Sequence, residues 1–175
     1  MTKTILTFGL ISGAVSALLM AATVPFIDRI GFDRSAYVGY TAIVLSFLLV
    51  YFGIRSYRDH VGNGRIGFGR AFAIGLCITL ISCFCYVVSW EVIYYNFMPD
   101  FWDKEGAYLV GKLQAAGAGQ AAIQAKMEEV KKFKQLYANP LINGAFTFIE
   151  PLPVGLIMTL VSAAILRRKP QSQPA

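Results

Sequence analysis

Ala71-Phe72-Ala73-Ile74-Gly75-Leu76-Cys77-Ile78-Thr79-Leu80-Ile81-Ser82-Cys83-Phe84-Cys85-Tyr86-Val87-Val88-Ser89-Trp90 carries no charged side chain. At about 1.5 Å per residue, a helix of this length crosses a hydrocarbon core of roughly 30 Å. Working outward, uncharged runs recur from Thr4 to Ile27, from Ser35 to Ile54, and from Gln135 to Leu166, the last interrupted only by Glu150. Of the 175 residues 56% are hydrophobic and 15% charged, whereas soluble domains carry about 25% charged residues. Such a composition belongs in lipid.

The sequence predicts an all-α fold: an integral membrane four-helix bundle forming one domain over residues 1–175. Its spans fall at about 4–27, 35–54, 70–98 and 139–166, with an extracytoplasmic helical hairpin at about 100–138 and a cytoplasmic tail at 167–175. The first run reads as a retained helix. Its apolar stretch exceeds the roughly 7 to 15 residues of a signal-peptide core, and Met20-Ala21-Ala22 makes a poor cleavage site.

The formal charge of +6 would suit nucleic acid as a partner, but its distribution argues otherwise. Lys3, the group Arg55, Arg58, Arg65 and Arg70, and the group Arg167, Arg168 and Lys169 all fall on one side of the predicted spans. On the other side Asp28 and Asp33 cancel Arg29 and Arg34, and six lysines face five acids in the long loop. Short basic loops stay in the cytoplasm, which places both termini and the second loop there. Arg55, Arg58, Arg65 and Arg70 are candidate contacts for anionic lipid headgroups.

Gly9, Gly13, Ala17 and Ala21 recur every four residues in the first span, with Ser12 and Ser16 beside them. Such a stripe lets another helix approach closely. It reads first as packing within the chain, against a third span bearing Gly75, Thr79 and Ser82, and second as a homodimer contact. In the long loop, Asp100 and Asp103 start a helix that Gly117 to Gly119 break. A second helix, Gln120 to Ala138, sets Ile123, Met127, Val130 and Tyr137 on one face, with Glu128 and Lys132 paired on another. That apolar face must bury against the bundle or a partner.

Asn139-Pro140 starts the fourth span, since asparagine caps and proline suits the first helical position. Pro151 and Pro153 then remove two donors and free carbonyls near Thr147 and Ile149, so a kink or break is expected. Glu150 precedes that break, roughly 25 Å from the boundary at Arg167, and Glu91 stands roughly 31 Å from Arg70. An ionisable group at such depth is a functional hypothesis. The sharp reading is a proton or cation site at a broken helix, built from Glu91, Glu150, Pro151 and Pro153. The plain reading sends both carboxylates to headgroup water, with Trp90, Tyr94 and Tyr95 as an aromatic belt.

No enzyme motif stands beside these. Cys77, Cys83 and Cys85 share no metal-ligand spacing, and the one histidine, His60, has no nucleophile or acid at a motif distance. Gly62-Asn63-Gly64-Arg65-Ile66-Gly67-Phe68-Gly69-Arg70 lacks the ending of a nucleotide loop and reads as a turn. No catalytic residue, metal site or cofactor is expected.

Three blocks are distinctive: Arg65-Ile66-Gly67-Phe68-Gly69-Arg70-Ala71-Phe72 with Gly75, then Trp90-Glu91-Val92-Ile93-Tyr94-Tyr95, then Thr147-Phe148-Ile149-Glu150-Pro151-Leu152-Pro153-Val154-Gly155-Leu156. With Tyr137-Ala138-Asn139-Pro140 they resemble the small bacterial membrane proteins grouped as domain of unknown function number four-one-nine-nine, over nearly the whole chain. The resemblance implies a four-span protein of the bacterial inner membrane and carries no activity, substrate or cofactor. The expected function is non-enzymatic interaction, with itself or another membrane protein in the bilayer, through the hairpin and the Gly9 to Ala21 stripe. The competing expectation is an ion- or proton-coupled transporter or channel subunit using Glu91 and Glu150.

Overall fold

Helices follow the apolar runs, but the ends are set by caps and turns. The computed structural model describes residues 1–168, the Asp28 side chain excepted, so the tail beyond Arg168 lies outside the described residues. α1 spans Thr2–Thr23, and a 3-10 turn at Val24–Phe26 holding Pro25 leads into the short α2, Ile27–Ile30. α3 spans Phe32–His60 and α4 spans Phe68–Phe97. α5 (Phe101–Ala115) and α6 (Gln120–Tyr137) fill the long connection, and α7 (Pro140–Ile149) and α8 (Leu152–Leu166) make up the fourth span.

α3 runs beyond the uncharged stretch that ends at Ile54. Lack of charge marks what lipid tolerates, whereas the helix continues until the chain turns at Asn63 and Gly64, both at positive φ. Its added turn carries Arg55, Arg58 and Asp59, with Asp59 paired to both arginines. α5 ends in a Schellman motif: the Ala118 amide donates to the Leu113 carbonyl at 2.9 Å and the Gly117 amide to Gln114 at 3.0 Å. Gly117 sits at φ 72°, where a side chain would clash.

Four stretches, Thr2–Phe26, Phe32–His60, Phe68–Phe97 and Pro140–Leu166, are long and apolar enough to cross a membrane. α1 packs along α4 and α3, and α8 packs along the same two helices from the opposite flank. The interior is small and hydroxylated where the helices touch: Ser12, Ser46, Thr79, Ser82, Thr159 and Ser162 are buried. Ile43, Phe47, Val50, Ile54, Ile74 and Ile78 fill the core beside them, and many other large apolar side chains point outward, with Leu18 at 70% and Phe84 and Ile165 at 65% exposure. In water this distribution would be costly. In lipid, apolar exterior surface costs nothing and small residues let helices close.

The glycine stripe shows how. A Cβ on Gly9 would lie 2.9 Å from Ile81, and one on Gly13 would collide with Cys85, so both glycines are consumed by the α1–α4 contact. Ser12 donates to the Ser46 carbonyl at 2.9 Å and meets the Ser82 hydroxyl at 2.9 Å, tying three helices together. Ala17, farther along, is half-buried. Gly75 and Thr79 depart from the expected α1 partnership. Gly75 faces Thr159, Ile54 and Val50, and Thr79 bonds the Gly155 carbonyl and the Thr159 hydroxyl. α4 is shared between two flanks, and this face of it belongs to α8.

At one end of the bundle, the Arg168 amide donates to the Ile66 carbonyl at 2.9 Å. The α3–α4 turn and the end of α8 therefore lie together, and Arg55, Arg58, Arg65 and Arg70 stand at that same end.

Candidate functional site

The opposite end of the bundle is open. α1, α3, α4 and α7 leave a cavity of about 390 Å³ there, covered by the start of α5 and the end of α6. Tyr40, Tyr86, Trp90, Phe101, Trp102 and Tyr137 wall it, and Asp33, Glu105 and Glu150 are its acids. No lysine or arginine lines it.

Each acid has a different environment. Asp33, at the start of α3, accepts from the Lys112 ammonium at 2.7 Å, which ties α5 to α3. Glu150 accepts from the Tyr86 hydroxyl at 3.3 Å. Glu105 makes no side-chain hydrogen bond or ion pair among the described residues. Burial pushes its carboxyl above the ordinary value, the neighbouring charge of Asp33 adds to that, and Lys112 opposes it. The Lys112 ammonium is held above its ordinary value, chiefly by the hydrogen bond to Asp33.

Behind the cavity wall lies Asn143, fully buried on α7. Its Oδ1 accepts from Trp90 Nε1 at 3.0 Å and from the Thr147 hydroxyl at 3.2 Å, fixing two lining residues. Its Nδ2 is buried with no partner.

Glu91 is not among the lining residues. Its Oε1 is buried without a hydrogen bond, close to where a Cβ on Gly144 would stand. Six residues separate Gly144 from Glu150, and at about 100° per residue they face different sides of α7. The cavity thus holds Glu150 without Glu91, and the expected carboxylate pair is replaced by Glu150 with Glu105 and Asp33. The proline break is also milder than an unwound segment. α7 stops at Ile149 and α8 starts at Leu152, but Glu150 and Pro151 keep right-handed helical dihedrals. Pro151 is buried in the core, while Pro153 is exposed.

Tyr94 is buried in an aromatic cluster, its ring within 6.3 Å of Trp90, Tyr95, Phe101 and Tyr137. This cluster docks α5 and α6 on the bundle. The sequence pattern does not single out Asp33, Glu105, Tyr86, Trp102 and Asn143 as site residues. One signal was available: Phe101, Glu105, Tyr108 and Lys112 fall on one helical face, and an acid among aromatics there points inward.

The family described as "Protein of unknown function (DUF4199)" matches residues 7–168. The chain belongs to this family. No curated protein and no solved structure matches it. The DUF4199 match takes in every residue lining the cavity, and two of the three distinctive blocks, around Trp90 and around Glu150, contribute to the wall. The third block is the α3–α4 turn at the arginine end. Among the described residues of this DUF4199 chain no group of three His, Cys, Asp or Glu side chains is placed to hold a metal ion.

Proposed function

We propose that this chain is a non-enzymatic protein of the bacterial inner membrane, termini and α3–α4 turn in the cytoplasm, that acts by self-association through its extracytoplasmic helical hairpin, α5–α6. The single observation that carries the reading is the outer face of that pair. Between the two helices runs a largely apolar groove of about 700 Å³ lined by Trp102, Gly106, Ala107, Val110, Met127 and Val130, with Met127 57% exposed. The glycine stripe offers no alternative surface, because α4 occupies Gly9 and Gly13.

A second copy is favoured by charge. Glu128 and Glu129 precede Val130, Lys131 and Lys132 follow it, and all four charged residues are exposed. In an antiparallel pair of α6 helices about a two-fold axis at Val130, Glu129 and Lys131 flank the seam and lie opposite one another in both directions at once, while Glu128 and Lys132 stay on the face turned away from it. The Lys126–Glu129 pair within the helix is an exposed contact that such docking can replace.

Crosslinking in native membranes, with size analysis in mild detergent, tests it. Glu129→Lys or Lys131→Glu should each yield monomers, and coexpressing the two variants should restore the dimer. A wild-type monomer in both settings ends the proposal.

A second reading, a proton- or cation-coupled transporter or channel subunit, is favoured by Glu150 standing at the helix interruption and in the cavity. Equal liposome flux for the wild type and Glu150→Gln removes it.

A further inference from the structure

We propose that the cavity at the outer end of the bundle binds an organic ammonium group carried on an apolar body, seated against Glu105 and Glu150 and the rings of Tyr86, Trp90 and Trp102. An anion would meet three carboxylates in a lining without lysine or arginine, of which, among the described residues, only Asp33 has a base bonded to it, Lys112. A neutral polar guest would leave Glu105 with no bonded countercharge in a largely aromatic space, since the Lys112 ammonium is bonded to Asp33, and that is unfavourable. A bare metal ion needs several oxygens converging at short range, and no such group forms among the described residues. A cavity of about 390 Å³ has room for an ion with a hydrocarbon body attached. Aromatic faces attract a weakly hydrated ammonium, and carboxylates set among them add the countercharge.

The route in points to an amphiphile. Tyr40 lines the cavity and is 50% exposed, and Glu150 is exposed as well, so the cavity reaches the flank of the bundle within the spans. α3 packs along α8, and no comparable packing closes α3 against α7. That gap faces the surrounding lipid. A cation arriving through it must be membrane-soluble, which gives two sources of one chemistry: a free amphiphilic ammonium, or the ethanolamine headgroup of a phospholipid. Binding in this cavity requires neither dimerisation through α6 nor transport.

The chain supplies its own reporter. It contains two tryptophans, Trp90 and Trp102, and both line the cavity. The full-length protein in a neutral maltoside detergent is titrated with dodecyltrimethylammonium, and with dodecyl sulfate and dodecanol as chain-matched controls. A saturable change in tryptophan emission and a rise in thermal midpoint are expected for the ammonium alone. Equal responses to all three, or none to the ammonium, overturn the proposal from the wild type itself. Glu105→Gln and Glu150→Gln should each weaken the ammonium response about tenfold, while His60→Gln, at the far end, should leave it unchanged. Full affinity in both glutamine variants also overturns it. Short-chain phosphatidylethanolamine against phosphatidylglycerol then separates the sources: a selective response to the former assigns the lipid headgroup, and no response to either assigns a free amphiphilic cation.

Discussion

Gly13 and Gly111 are both helical glycines, and a methyl group should affect them in opposite directions. At Gly13 the added carbon collides with Cys85 and sits 3.7 Å from the Ser82 backbone, so Gly13→Ala must push α1 off α4. Overpacking of this kind costs about 1–3 kcal/mol. At Gly111, on α5, nothing lies within 4 Å, and alanine there should stabilise by about 0.5–1 kcal/mol through lost freedom of the unfolded chain. Thermal midpoints in one detergent should therefore fall for the first and rise for the second. Glu105 makes a pH prediction. Its carboxyl is raised in the folded protein by burial and then by Asp33, so the charged form is the disfavoured one. This site costs no stability below the unfolded value near 4.5, and the cost grows as pH rises through the folded value. Glu105→Gln should be more thermostable than the wild type at about pH 8 and should lose that advantage at about pH 4, where both are neutral. Glu150 was legible from sequence because a lone acid in an apolar run stands out. Glu105 was not, because it lies in a loop rich in charge, where only folding against the aromatic wall singles it out.

At the scale of elements, the clearest device is the start of α7. Asn139 accepts the Leu141 amide through its side chain at 3.0 Å, and Pro140 fills the first helical position. Asn139→Ala should cost about 0.5–2 kcal/mol, with Asn139→Ser recovering most of it. Amide exchange at Leu141 and Ile142 should accelerate in the alanine variant and return towards wild type in the serine variant. If α6 instead hands the chain to α7 through its packing alone, neither variant will alter exchange there. Caps and turn residues of this sort are readable in sequence because their chemistry is local. The way α4 divides its faces is not. Gly75 and Ser82 carry the same small-residue signal, yet one meets α8 and the other α1, because the choice depends on which helices stand nearby and not on the periodicity of α4. The two prolines illustrate a further limit. Missing donors at Pro151 and Pro153 mark the interruption, but they do not say whether the backbone unwinds, and here the buried Pro151 keeps helical dihedrals.

For the molecule as a whole, the four apolar spans could be read from charge-free length alone, since the hydrocarbon core imposes that length on any chain that crosses it. The cavity could not, because its wall is assembled from α1, α3, α4, α5, α6 and α7, and no single stretch carries its signature. Orientation stands between these cases. The structure brings the α3–α4 turn beside Arg168, so Arg55, Arg58, Arg65 and Arg70 gather at one end, while the cavity and α5–α6 occupy the other. In the proposed orientation dense basic turns stay in the cytoplasm, with the arginine end inside and the cavity outside. Single cysteines introduced at His60 and at Lys126, in a background with Cys77, Cys83 and Cys85 replaced by serine, give the test. A membrane-impermeant maleimide applied to intact spheroplasts should label the site at 126 and spare the site at 60, and permeabilisation should expose both. Labelling at 60 alone would invert the bundle and turn the cavity towards the cytoplasm. Equal labelling of both before permeabilisation would mean that the lipid-compatible exterior of α1, α3 and α8 does not hold these two ends on opposite faces of a bilayer.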